Sequence, residues 1–455
     1  MSHHRVRIVL IAFTLFIVVV FATIVVMCMD ESPPNVDDLR PVRLDIPDDQ
    51  NAMTYFLKAA EMKAFLPYNP YILRLDRRDV RIEDAIAAEL GVAYSEEGWR
   101  KRAGEIVDKN AEMLVLVRRG LACEQSQVQI RQDMYSGVEE LDSLIDRARL
   151  EAGIHRRSQR IKDALDCAMD VVRFGSLLQN SRGGVFCWLD GEKIRRIGMS
   201  EIRSIVDVAT TEHELVPYIE ALGHYRSGEE AVADAVKAEF STACSEIDSV
   251  GSASRPMVIN KKVHLYRWGY IYKPNESKRK LAEAVRVHLA NIPKYTCQMQ
   301  HPSLPDASDI RQNIGVVNLP PGGASWKAAV PIRPKHIRYL FSRNAMGQWV
   351  WVSAAGRCRW LVTHRNEQNN DLIATQIILA LKCYKLKTGS LPRTLDELVP
   401  EYFPNVPLDQ MDGKPFRYLP DRKIIYSVGL DIVDDGGKER DSNTGKGDTI
   451  WEIKF

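Results

Sequence analysis

The sequence predicts an α+β protein: an N-terminal transmembrane helix, a mainly helical body, and a C-terminal long helix packed on a small antiparallel sheet. Three observations carry that class. Ile8 to Met29 is an unbroken apolar run, a helical apolar period persists from about residue 51 to 241, and the last hundred residues switch to one long amphipathic stretch followed by short alternating segments.

With 455 residues, 45% hydrophobic and 27% charged, the chain has length for two or three folded units. A formal net charge of +2, with no sustained Lys/Arg run interleaved with aromatics, excludes a nucleic-acid-binding class. The segment "IVLIAFTLFIVVVFATIVVMCM" holds no charge and is long enough to cross a hydrocarbon core of about 30 Å as one helix. Arg5 and Arg7 precede it, and Asp30 and Glu31 follow. The positive-inside bias therefore places residues 1–7 in the cytoplasm, 8–29 in the bilayer of a bacterial inner membrane and the rest in the periplasm. No small-residue cleavage pattern follows the apolar run, so a retained signal anchor is expected, and "VVMC" lacks the small residue that a lipidated Cys28 requires.

Residues 30–50 read as an acidic, Pro-containing tether and 51–297 as a helical domain. In "SEEGWRKRAGEIVDKNAEMLVLVRRGLA", Trp99, Ala103, Ile106, Met113, Val117 and Leu121 form one apolar stripe. Ile161, Leu165, Ala168, Met169 and Val172 form another. Thr211 with Glu214, and Ser227 with Glu230, have capping-box spacing and mark helix starts. No fixed repeat period holds, which predicts an irregular bundle in place of a solenoid. "SRGGVFCWLDGEK" reads as a helix-joining turn with Trp188 and Leu189 packed inward. Residues 298–343, rich in Pro and Gly, form the linker to a C-terminal domain at 344–455.

In that domain Leu372, Ile373, Ile377, Ala380, Leu381 and Tyr384 share one helical face, and the helix stops at Gly389. "TLDELVPEYFP" opens a one-turn helix through Thr394 and Glu397. "PFRYLP" and "KIIYSVG" are strands reversing at Asp421 and Arg422, and Trp451, Ile453 and Phe455 alternate as a third. The order, with "ALKCYKLKTGSLPRTLDELVP", "VPLDQMDGKPFRY", "YSVGLD", Gly436-Gly437 and "GDTIW", resembles the globular domain of the major pseudopilin of type II secretion systems. The resemblance implies a Ca²⁺-binding loop between the last two strands. Its implied ligands are Asp431 and Asp448, with Asp434 and Asp435 as added acids and the backbone of Ser427, Val428 and Leu430 beside them. A solvated acidic loop without metal is the alternative, and an EF-hand is excluded because Val433 and Ser442 stand where its third and twelfth positions need oxygen donors. Ile432 replaces the family's glycine, and "AFTLF" puts Ala12 and Phe16 where its prepilin signal has Gly and Glu. Fibre assembly is therefore not expected, since some three hundred residues separate anchor and module.

No zinc-protease, nucleophile-elbow or P-loop motif occurs, the histidines are dispersed and no C-x-x-C pair is present. The scattered cysteines leave room for one or two disulfides. Two functions of different class follow. One is a non-catalytic, membrane-anchored binding or scaffolding protein with a protein or envelope partner. The other is an envelope hydrolase with a site between the helical body and the linker.

Overall fold

A computed structural model describes residues 3–42, 44–62, 95–128, 145, 148–252, 258–259, 262–264, 272–305, 316–318, 344–441 and 444–455. The chain is mostly helical with a small three-stranded antiparallel sheet near its C-terminus, the α+β class expected. It divides into two compact units, one of residues 1–40, 239–290 and 300–360, the other of 41–238, 291–299 and 361–455. The boundary expected at residue 344 is not where the units part, because the C-terminal sheet shares a core with helices from the middle of the chain.

The first unit begins with helix α1, His3–Cys28. Its continuously described side chains span residues 11–23, and Phe13, Phe16 and Phe21 among them are exposed. Among the described residues no helix is long and apolar enough to cross a membrane. The segment expected as a tether is fastened at its start. Asp30 accepts from the Asn275 and Glu276 amides at 2.8 and 3.2 Å, capping helix α10, whose range is Pro274–Leu289. Arg279 pairs with Glu31 at 2.6 Å, and Arg286 with Asp38 at 2.8 Å. Strands β1 (Val258–Ile259), β2 (Lys262–His264) and β3 (Val316–Asn318) form a small antiparallel sheet inside stretches expected as loops.

The second unit holds α2 (Ala52–Glu61), α3 (Glu96–Lys109), α4 (Ala111–Ala122), α5 (148–157), α6 (Ile161–Gln179), α7 (Gly184–Val208) and α8 (Val216–Gly223). Helix α9 (Glu229–Ser252) and the 44-residue α11 (Ala345–Thr388) run from one unit into the other. The stripe through Trp99 and Leu121 is divided by Asn110, whose side chain donates to the Ile106 carbonyl at 2.6 Å and ends α3. Trp99, Ala103 and Ile106 pack with Leu150, while Met113, Val117 and Leu121 enter a separate core with Phe56 and Phe174. The Cys187 segment is not a turn beyond Gly183, since α7 starts at Gly184 and takes up the fully buried Trp188. Neither expected capping box forms: the Thr211 hydroxyl donates to the Glu214 carboxylate while α8 starts later, at Val216, and the Ser227 amide donates to Asn369 Oδ1 at 2.9 Å as its carbonyl accepts from Arg365 at 3.0 Å.

Helices α6 and α7 cross with backbones almost touching at Gly175, Gly191 and Gly198. Their common apolar face continues through Leu372, Ile377 and Leu381 of α11 to Ile425, Trp451 and Ile453 of the sheet. Gly389, at φ +85°, ends α11, and the Thr394–Glu397 capping box forms as the spacing predicts. The sheet order is β4 (Arg417–Leu419), β5 (Ile424–Ser427), β6 (Thr449–Glu452), with Ile425 facing Trp451 in register. Burial alternates past the end of β6, with Trp451 and Ile453 in and Glu452 and Lys454 out. The seven described cysteines are free thiols.

Candidate functional site

The acidic turn between β5 and β6 is built by glycines, because its backbone enters the left-handed region at Gly429, Gly436, Gly437, Gly445 and Gly447. Ile432 does so as well, at φ +60°, a conformation that favours glycine. Asp448 is fully buried, and its carboxylate accepts from the amides of Gly437 at 2.7 Å, Lys438 at 3.2 Å and Asp435 at 3.4 Å. Burial raises its pKa, and those three amides oppose the rise. Asp431 accepts from the Gly447 and Val433 amides at 3.0 and 3.3 Å. Asp434 accepts from the Gly436 amide, the Tyr426 hydroxyl and Arg417 Nε at 3.1, 3.2 and 3.3 Å. The Asp435 side chain faces solvent, the Val428 amide donates to Asp409 at 3.1 Å, and Leu430 lies in the turn.

The expected calcium ligands are thus neighbours in one turn, although no three of their carboxylates come within 4.8 Å of one another. Among the described residues the group of three metal-ligating side chains within 4.8 Å of one another is Glu151, His155 and Cys167, with no member from this turn. Calcium takes six to eight oxygens around one point, and here backbone amides hold the carboxylates of Asp431, Asp434 and Asp448. The turn as it stands is closed by these hydrogen bonds.

Asp409, which the sequence reading passed over, is the centre of the module. Its buried carboxylate accepts from Asn370 Nδ2 (2.6 Å), Met411 N (2.8 Å), Ser427 Oγ (2.9 Å), Arg417 Nη1 (3.0 Å) and Val428 N (3.1 Å). It ties α11, the strand-entry turn and β5 together. The signal was present in "LDQMDGKPF" but reads as an ordinary turn without the fold.

The Glu151, His155 and Cys167 group joins α5 to α6, an i,i+4 pair and a residue of the next helix. Arg118 donates to Glu151 at 2.7 Å and Arg160 to His155 Nδ1 at 2.9 Å, so two of the three are engaged by guanidinium groups. Burial pushes the Cys167 thiol up to about 12, and Glu151 and Asp170 add to it.

Asp448 also faces a polar cleft of about 470 Å³. Helix α7 contributes Glu192, Arg195 and Arg203, α11 contributes Gln368 and Asp371, and β6 contributes Trp451. Asp371 Oδ1 accepts from Trp451 Nε1 at 2.7 Å and from Arg203 at 2.9 Å. Burial raises the pKa of Glu192 and of Glu367, offset by Arg196 for the first and mainly by Arg440 for the second. The hydrolase site expected against the linker falls largely on residues 306–315 and 319–343, outside the described residues. Compared with family models, curated proteins and solved structures, the chain matches none.

Proposed function

We propose that this protein is a single-pass, membrane-anchored extracytoplasmic binding or scaffolding protein without catalytic activity. The observation that carries the reading is at the N-terminus. An uncharged run forms helix α1 with its described apolar side chains exposed, and the next charged residues, Asp30 and Glu31, are clamped onto α10. A greasy helix left bare in water is unfavourable by roughly 25 cal/mol per Å², whereas a bilayer removes that exposure. The clamp brings the body up against the membrane surface in place of a long free tether. Arg5 and Arg7 before the run put the body outside, in the periplasm of a bacterial envelope.

The second part of the reading is binding. The C-terminal module is tied together by the hydrogen bonds around Asp409, and the polar cleft beside it is lined by helix and strand residues, the kind of support that fixes a recognition site.

Fractionation tests the anchor. Full-length protein should stay with membranes through alkaline carbonate extraction, and a chain lacking residues 1–29 should be released. Protease added to spheroplasts should digest the body. A full-length product in the carbonate supernatant, or a body protected until the inner membrane is lysed, overturns the reading.

A further inference from the structure

Arg195 is the most deeply buried cation of the second unit's polar cleft, at 1% exposure. Its Nη1 donates to Gln179 Oε1 at 2.6 Å, but Nε and Nη2 have no hydrogen-bond partner in the protein. Arg196, Arg203 and Arg440 are each paired with a carboxylate, Glu192, Asp371 and Glu367 in turn. Among the described residues Arg195 is therefore the cleft's guanidinium without an ion pair. Burying a charge with two open donors is costly, and native structures retain such a group where it has work to do.

Two more atoms of the same wall are open or weakly held. Gln368 accepts from Gln179 at 2.8 Å through Oε1, its Nε2 has only a weak contact with the Glu192 carboxylate, and Asp371 Oδ2 has no partner. The cleft thus offers unspent donors on Arg195, a weakly held one on Gln368 and an unspent anionic acceptor on Asp371. A simple anion would answer the first and meet repulsion from the second. A simple cation would do the reverse. A ligand carrying both charges answers both.

We propose that this cleft binds a small zwitterion of the α-amino acid class, its carboxylate on Arg195 and Gln368 and its ammonium against Asp371. The volume of about 470 Å³ lies in the range of small-molecule sites. The open atoms are shut off from bulk water in the free protein, so binding turns side chains of the wall, an ordinary change on ligand entry. Their placement on α7 and α11, helices that share one packed core, keeps the backbone fixed while they turn.

The ligand assignment rests on the proposed binding role but not on the membrane anchor, because it is read in detergent micelles. Full-length protein is titrated by calorimetry and thermal unfolding with the common L-amino acids singly, and with acetate, methylammonium and inorganic phosphate. At least one amino acid should bind saturably and raise the unfolding midpoint, while the three single-charge probes do not. Arg195→Met and Gln368→Met should each weaken that binding by about tenfold or more, the loss of charge-assisted hydrogen bonds. Arg195→Met removes a buried charge while the carboxylates nearest it, Asp371 and Glu192, keep Arg203 and Arg196 as partners, so a folded variant is expected, and its unfolding midpoint is measured alongside. No response to any amino acid, an equal response to acetate or phosphate, or unchanged binding in both variants overturns the assignment.

Discussion

Asn370 Nδ2 lies 2.6 Å from Asp409 Oδ1, and that contact joins the last helix to the turn that starts the sheet. The same carboxylate holds Ser427 Oγ, two amides and Arg417. Asp409→Ala would leave two buried amides unanswered and Asn370 Nδ2 with its bond to Ser427 Oγ alone. It should cost about 3 kcal/mol or more, whereas Ser427→Ala, which removes one neutral partner, should cost about 1 kcal/mol. Urea unfolding of the two variants checks the ratio. Equal losses would mean that Asp409 is one contact among many.

The crossing of α6 and α7 makes a second, steric prediction. A Cβ on Gly191 would stand 2.5 Å from the Gly175 carbonyl oxygen and 2.8 Å from the Gln179 amide nitrogen, both backbone atoms that cannot swing aside. Gly191→Ala should therefore destabilise by roughly 1–3 kcal/mol through overpacking. Gly104 in α3 has nothing within 4 Å of the same virtual atom. Gly104→Ala should stabilise by about 0.5–1 kcal/mol, the helix-propensity gain alone. Thermal unfolding of the pair separates packing from propensity, and a stable Gly191→Ala would deny the close approach.

How much of this was legible follows from range. Periodicity and caps are local, so the α11 face through Leu372 and Leu381, the stop at Gly389, the Thr394 box and the alternation through Trp451 all follow from neighbouring residues. Ile432 is a position where sequence alone gives no left-handed signal, since a β-branched residue there adopts a conformation that favours glycine. What else failed was long-range. One apolar stripe went to two cores because Asn110 breaks the helix, a choice made by which partners surround each half. Ser227 has the spacing of a cap, but α11 claims its backbone from 142 residues away. Asp409 and Arg195 are single polar letters whose burial only the assembled helices create. That backbone amides hold the turn's acids was not legible, because spacing shows proximity and not direction.

His288 on α10 gives a pH prediction for the first unit. It is 1% exposed, and burial, with His301 and Arg359 nearby, pushes its pKa down to about 4, a hydrogen bond with the Ala355 backbone opposing. The unfolded chain takes up the proton below about 6.5 and the folded one only near 4. The neutral imidazole's contribution is therefore complete above 6.5 and falls as pH drops through that window, by about 3 kcal/mol at pH 4. His288→Gln should flatten the urea-midpoint profile between these values. A wild-type profile with no slope there would place the proton elsewhere.

The last prediction concerns what closes the acidic turn. Three backbone amides converge on Asp448, two on Asp431, and Asp434 is held by an amide, Tyr426 and Arg417. Calcium entry would have to strip those donors away, so hydrogen-bond closure predicts an unfolding midpoint that is the same in millimolar Ca²⁺ and in chelator. Extracellular calcium modules bind at about 10⁻⁴ to 10⁻³ M, so about ten millimolar ion would fill a working site to roughly nine-tenths or more and raise the midpoint by a few degrees. Asp448→Ala should cost about 2–3 kcal/mol in either buffer, the penalty of amides left buried without an acceptor. Asp448→Asn separates the two mechanisms further. Its amide oxygen still accepts from backbone donors but carries no charge for an ion, so hydrogen-bond closure predicts partial rescue relative to alanine. Under calcium closure asparagine, whose carbonyl can still ligate the ion without neutralising it, would keep a reduced calcium-dependent gain and alanine would lose it, whereas hydrogen-bond closure predicts no such gain in wild type or either variant.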